Sequence, residues 1–401
     1  MPYPSPFYRG ALGVAALWLG LSAPLSAATL KDALDHAWAA YQPTQSARAA
    51  QFDAQDAAAR AWLPDPPTLT LTGGSDQIDR NTGAREWEAE VGVPLWLWGQ
   101  RDRAAAVAQG ERDASMQGLA QQRWQLAGEL REAWWEVRLA QTELDAAELK
   151  LKEASRLEAD VARRVKAGDL APLDLNLARG AVSQAKSERL RAQAALTRAQ
   201  AQFAALSRGA PVPDQDEIPA GDIAPERHPQ LQELAAKASA AQAKLHQAAG
   251  DTRNNPELTF TVTRARGSSD EAYQNTASIG IMIPFASSAR NQPRITAANT
   301  ELIEAQLARD TAQRKLIADV AASRAELEQS RENVVLQQER LQLAEQSFAW
   351  VDKAFKAGQL DLPALIRAET ELADARLQAT RARAEAARAV SRYNQAVGAL
   401  P

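Results

Sequence analysis

Apolar and polar positions in this chain follow two patterns, and each pattern occurs twice. Strict alternation marks four short stretches. Thr68-Leu-Thr-Leu-Thr72 alternates, and after a polar loop at 73–84 so do residues 85–95. In the latter, Trp87, Ala89, Val91 and Val93 share one face, and Glu86, Glu88, Glu90 and Gly92 the other. Further on, Leu258, Phe260 and Val262 alternate with threonines, and Ile279, Ile281 and Ile283 with Ser278, Gly280 and Met282. The spacing predicts two β-hairpins with strands of roughly 10 residues, the length that crosses an outer-membrane hydrocarbon layer when tilted. Each hairpin follows a helical stretch and a proline break: residues 29–62 with Leu63-Pro-Asp-Pro-Pro67, and residues 229–249 with Asn254-Asn-Pro256.

After each hairpin the period lengthens to a heptad. Leu327, Val334, Leu341, Phe348 and Phe355 fall every seven residues; Val137, Leu144, Leu151 and Val165 occupy the matching places. Ala140, Ala147, Ala154 and Val161 form a second row of smaller residues, which suits knobs-into-holes packing. Prolines are missing from 101–165 and 294–355, so each stretch predicts a helix on the order of 100 Å long. Gly168 and Gly358 suit the left-handed position that ends a helix; Pro172 and Pro363 suit the first turn of a returning one, with Asp361 as an N-cap. Lys166-Ala-Gly168-Asp169-Leu170 recurs as Lys356-Ala-Gly358-Gln359-Leu360, and Val93-Pro94-Leu95 as Ile283-Pro284-Phe285 at the same offset. Two copies of a unit of about 185 residues follow. The boundaries are 29–208 and 227–401, joined by a Pro-, Gly- and acid-rich linker at 209–226.

Composition narrows the class. Aromatics are only 5 %, the profile of long helices, and a net charge of −4 gives no reason to expect nucleic acid. Residues 1–28 read as a signal peptide: Arg9, an apolar run from Ala11 to Leu21, and Ser26-Ala27-Ala28 as the cleavage site. Cysteine is absent, which excludes disulfides, thiolate metal sites and a lipid on cysteine. The hairpins are either small soluble ones with a covered face or strands in lipid. No other stretch reads as a sheet partner, and a lone hairpin is marginal. Lipid supplies the cover, with Trp87, Ile279, Ile281 and Ile283 facing it and Trp96 and Trp98 at its boundary.

Four strands cannot close a barrel, and an open edge in hydrocarbon costs several kcal/mol per unpaired group. Three chains supply twelve strands around a lumen, whereas two supply only eight, whose side chains nearly fill the interior. The expectation is therefore a mainly α chain with a small β part: two tandem repeats of coiled-coil helical hairpin and β-hairpin. A homotrimer of such chains makes a 12-stranded β-barrel continued by an α-helical tunnel, with Glu86, Glu88 and Glu90 in the barrel lumen.

These residues resemble the TolC family of outer-membrane efflux proteins over the whole mature length, down to the tip pattern Gly168-x5-Asp174-Leu175 with Ala178. Pro94-Leu-Trp-Leu-Trp-Gly99-Gln-Arg101, and Ile283-Pro284-Phe285 followed by Arg290-Asn291-Gln292, are similar to its cobalt–zinc–cadmium branch. The resemblance implies a passive, gated conduit in the outer membrane of a Gram-negative bacterium, reaching into the periplasm. It implies docking to a periplasmic adaptor and an inner-membrane pump of the resistance-nodulation-division type, exporting divalent heavy-metal cations. The alternatives are the same channel serving an organic-compound pump, and a soluble coiled-coil scaffold.

By the same resemblance Lys166, Gly168, Asp169 and Leu170, with Lys356, Gly358, Gln359 and Leu360, are adaptor-docking tips; the glycines equally satisfy a tight turn. Asp174, Asp361 and Arg367 are candidates for a tip gate. Asp174 stands at the family's aspartate position, but the second half departs from a purely acidic ring, with Ala364 as the equivalent and Arg367 one turn further along; Asp174 also suits a helix start. His36, His228 and His246 are scattered without ligand spacing. With no phosphate-binding glycine loop and no nucleophile elbow, neither a catalytic site, a cofactor nor a metal site is expected.

Overall fold

The computed structural model describes residues 29–221 and 223–401; the predicted signal peptide lies outside them. The elements run α1 (Leu30–Ala39), α2 (Gln42–Ala59), β1 (Thr68–Ser75), β2 (Arg85–Pro94), α3 (Gln100–Ala167) and α4 (Pro172–Ser207). After the linker and one 3₁₀ turn come α5 (Pro229–Gly250), β3 (Glu257–Arg266), β4 (Gln274–Met282), α6 (Ser288–Lys356) and α7 (Leu362–Ala396). The helix expected at 29–62 is two helices. Pro43 lacks an N–H and is tolerated only in a first turn, so the chain breaks at Ala40–Tyr41 and restarts. In the second half, α6 starts earlier than expected and carries Pro293 near its beginning, where one missing backbone bond is cheap.

All strands are antiparallel in the order β1-β2-β3-β4, so the two hairpins join through β2 and β3. Below this sheet the long helices lie side by side in a layer. Nearer the strands its order is α2-α3-α5-α6; further away it is α4-α3-α7-α6. The 68-residue α3 and 69-residue α6 run the full length. Basic residues on the two middle helices bridge acids on both flanks. Lys244 of α5 lies 3.3 Å from Glu111 and 2.9 Å from Glu301. Arg392 of α7 lies 3.1 Å from Glu132 and 2.7 Å from Glu326. Such exposed pairs are worth about 1 kcal/mol or less each and fix register more than stability.

The main core sits at mid-height, where α1, α3 and α4 meet. Trp134 and Trp135 are fully buried there with Leu130, Leu34 and Phe203. Both indole N–H groups are satisfied: Trp134 donates to Pro213 O and Trp135 to Ser391 Oγ, each at 2.9 Å. Pro213 belongs to the linker, which is more than a spacer. It lies across the helices and is tied down by Arg131, whose guanidinium is 2 % exposed. Arg131 donates to Glu217 at 2.7 Å and to Ala399 O at 3.0 Å, gathering linker and C-terminus on α3. Asn394 adds two more ties, accepting from Ala220 N and donating to Ile218 O.

At the start of α5, His228 is buried edge-on to Trp124, and its Nδ1 accepts from Gln230 N at 3.2 Å. Burial pushes its pKa down to about 4 from the usual 6.5.

Two outcomes follow. Arg131→Ala leaves Glu217 unpaired and should destabilise the chain by about 3 kcal/mol or more, read as a fall in thermal midpoint. His228 takes up a proton more readily unfolded than folded. Its contribution is therefore present above pH 6.5 and is lost as pH falls from there to about 4. His228→Asn, which keeps a capping acceptor, should flatten the acid slope of stability in that window.

Candidate functional site

The register of the sheet sorts its side chains into two faces. Leu69, Val91, Phe260 and Ile279 form one row across all four strands; Leu71, Ala89, Val262 and Ala277 form the next. Every large side chain in these rows is exposed, up to 75 % for Ile279. Val93, Leu258 and Ile281 extend the band toward the helices, with Ile283 just past the end of β4. Trp87 caps the band at its far end. Its ring lies over Gly73, its cross-strand partner, where a Cβ would come within 2.9 Å. At the helix end Trp98 is wholly exposed. Trp96 is half-buried instead, because its indole N–H donates to Ala61 O at 3.0 Å behind α2.

The opposite face is dominated by hydroxyls and carboxylates. Thr70, Glu90, Thr261 and Ser278 form one row, and Thr72, Glu88, Thr263 and Thr276 the next, with Glu86 beyond. Thr261 Oγ1 donates to Glu90 at 3.2 Å. Glu257 belongs to this face as well and was not singled out from sequence. Its carboxylate crosses over Gly92 to accept from Thr68 Oγ1 at 3.2 Å; a Cβ at Gly92 would sit 1.8 Å from it. The signal was Glu257 one step ahead of the Leu258 alternation. Four carboxylates share this face, and among the described strand residues no Lys or Arg does. On β3 this polar face is more covered than the apolar one, as on the inside of a curve.

At the far end the two helical hairpins turn identically. Gly168 (φ 85°) and Gly358 (φ 71°) are left-handed. The amide after each reaches back five residues: Asp169 N to Arg164 O and Gln359 N to Ala354 O, both 2.9 Å. Lys166, Asp169, Gln359 and Leu360 are exposed at these turns; Leu170 is half-buried. Lys356 is also exposed and pairs with Asp352 at 2.6 Å. Val161, Ala178, Phe355, Leu362 and Leu365 pack together beneath, holding the two tips side by side. Asp174 accepts from Ala171 N at 3.0 Å, and Asp361 from Ala364 N at 3.0 Å, so both tip aspartates cap returning helices. Arg367 is exposed and donates to Pro363 O at 3.3 Å. A further acid above the tips escaped the sequence reading. Burial pushes the Glu369 carboxyl above its usual range, helped by Glu153 and Asp352.

Both lateral margins are unfinished. β1 and β4 each have one unpaired side. Leu336, Leu343 and Trp350 on α6 form an exposed heptad row, separate from the inward Leu327–Phe355 row; Leu173, Leu177 and Leu190 are exposed on α4. The histidines sit apart: His36 Nδ1 lies 3.0 Å from Ser207 O and His246 Nε2 2.9 Å from Gln242. Among the described residues no group of three His, Asp or Glu could hold a metal ion, and no helix is long and apolar enough to cross a membrane. An acidic face backed by an apolar one can line a passage for cations and screen it from hydrocarbon.

Comparison with known proteins agrees with this geometry. The family described as "Outer membrane efflux protein" matches residues 39–207 and 221–399. The cobalt-zinc-cadmium resistance protein CzcC of Cupriavidus metallidurans is 26% identical over 328 residues, covering 79% of this chain and 77% of that protein. Among solved structures, CusC superposes with a TM-score of 0.73 at 19% identity, covering 92% of both chains. The outer membrane protein VceC of Vibrio cholerae gives 0.72 at 14% identity, covering 92% of this chain and 96% of that one.

The glycines separate backbone demand from space. Gly168→Ala forces a side chain into a left-handed turn and should cost about 1–2 kcal/mol. Gly180, inside α4 with nothing within 4 Å of a Cβ, should respond oppositely: Gly180→Ala gains about 0.5–1 kcal/mol. Thermal melts of the two variants against wild type check both signs.

Proposed function

Since the chain belongs to the outer membrane efflux protein family, we propose that it is the outer-membrane channel of a tripartite efflux system. Three copies close a 12-stranded barrel and a helical tunnel, and the assembly passes solute without chemistry of its own. The observation that carries this reading is the pairing of a broad, exposed apolar band on one sheet face with rows of hydroxyls and carboxylates on the other, on a sheet whose two edges are open. Only closure by further copies removes those edges in lipid.

Divalent cations are the substrate class the lumen favours. Glu86, Glu88, Glu90 and Glu257 give twelve carboxylates per trimer, and rings of carboxylates concentrate cations while binding each loosely enough to release it. The likeness to a cobalt-zinc-cadmium resistance protein supports the same choice. The tips, with Lys166, Asp169, Gln359 and Leu360 exposed, are the surface offered to a periplasmic adaptor and, through it, to the pump.

Reconstitution in planar bilayers tests the reading. The wild type should form discrete conducting units with a reversal potential favouring cations. Glu86→Gln with Glu88→Gln, Glu90→Gln and Glu257→Gln should shift that potential toward zero while leaving units of similar size. A protein that stays in water as a monomer and never conducts would refute the conduit. Lys166→Glu should weaken adaptor capture without altering conductance.

A further inference from the structure

The apolar face does not stay apolar to its outer end. Arg85 and Arg266 stand directly opposite each other across β2 and β3, and Arg264 shares their face opposite Trp87. These positions are at the hairpin-loop end, away from the helices. Like charges facing each other across strands destabilise a sheet. No ion pair offsets them: among the described residues, no carboxylate lies within ion-pair distance of Arg85, Arg264 or Arg266. The Nε atoms of Arg85 and Arg266 are buried without an acceptor.

Two of the three side chains are nevertheless held in place. The guanidinium carbons of Arg264 and Arg266 lie 4.7 and 5.1 Å from the centre of the Tyr273 ring. Arg266 is steadied by donation to Asn81 O at 3.0 Å and Asn81 Oδ1 at 2.5 Å in the other loop. The nearby loop acids are engaged elsewhere. Asp79 lies 3.8 Å from Arg80, Asp270 accepts from Ser269 Oγ at 3.2 Å, and Glu271 accepts from Gly267 N at 3.1 Å. Asp76 lies against Gly83.

We propose that Arg85, Arg264 and Arg266 form a binding site for the phosphate groups of the outer-leaflet glycolipid, with Tyr273 as its floor. This rests on the reading of the sheet as a membrane wall. In that setting Arg264 stands in the Trp87 row and Arg85 and Arg266 just above it, where hydrocarbon gives way to head groups. The outer leaflet of an outer membrane is built of phosphorylated lipid A. Guanidinium forks match phosphate oxygens two at a time, and an anion between Arg85 and Arg266 turns a repulsive pair into a bridged one.

The test uses the full mature protein in phosphatidylcholine nanodiscs containing either bis-phosphorylated lipid A or the same lipid stripped of phosphate. Wild type should retain the phosphorylated lipid over the stripped one by about tenfold. R85Q/R264Q/R266Q should lose that preference while conducting as wild type does. R85K/R264K/R266K, which keeps the charge, should recover part of it. Equal preference in the glutamine variant overturns the site. So does equal thermal protection by inorganic phosphate alone, which would mark a general anion pocket. Insertion and conductance without any phosphate preference sinks this inference only; failure to insert sinks the channel reading and this with it.

Discussion

A peptide backbone cannot end its hydrogen bonding inside hydrocarbon, and the described residues of this chain bring four strands to that problem. Everything else in the molecule is consistent with that deficit. The sheet presents finished faces and unfinished sides, and the helical layer beneath it does the same, with leucine-rich α4 and α6 at its margins. The two sides differ from each other: β1, α2 and α4 on one, β4 and α6 on the other. Unlike margins join head to tail, and such a join closes into a ring when its rotation divides a full turn. The exposed leucines of these margins are the surface that such a join would cover.

Within one chain, rigidity comes from mid-height. Trp134 and Trp135 sit where the linker crosses, and Arg131 collects the linker and the C-terminal segment onto α3. A buried guanidinium is a weak source of net stability, since desolvation offsets most of its attraction, but it allows few arrangements. The segment that joins the two repeats therefore also sets how they lie against each other. Lys244 repeats that restraint nearer the strands, and Arg392, on Glu132 beside Arg131, reinforces it at the same level, both through weaker, exposed pairs.

Much of the architecture was legible because it is periodic. Alternation gave the four strands and their faces, the heptads gave the long helices, and Gly168 and Gly358 gave the reversals. What escaped depends on partners distant in sequence. The strap-like linker reads as a spacer until Trp134 and Arg131 are placed beneath it. Glu257 joins the acidic face only once Gly92 is seen to leave it room. Arg85 and Arg266 become a pair only through the β2–β3 register. Trp96 has belt chemistry, but Ala61 O claims its N–H. The break near Pro43 was a local signal passed over, whereas the extension of α6 past Pro293 is a tertiary override of a local one.

The strand order has a kinetic side. β1 with β2, and β3 with β4, are neighbours in the chain and can meet within microseconds. The β2–β3 seam joins residues separated by the whole of α3, α4 and α5. Closing so long a loop is slow unless the intervening helices dock first. Docking α3 against α5 shortens that search, because it sets the two hairpins side by side before the seam has to pair.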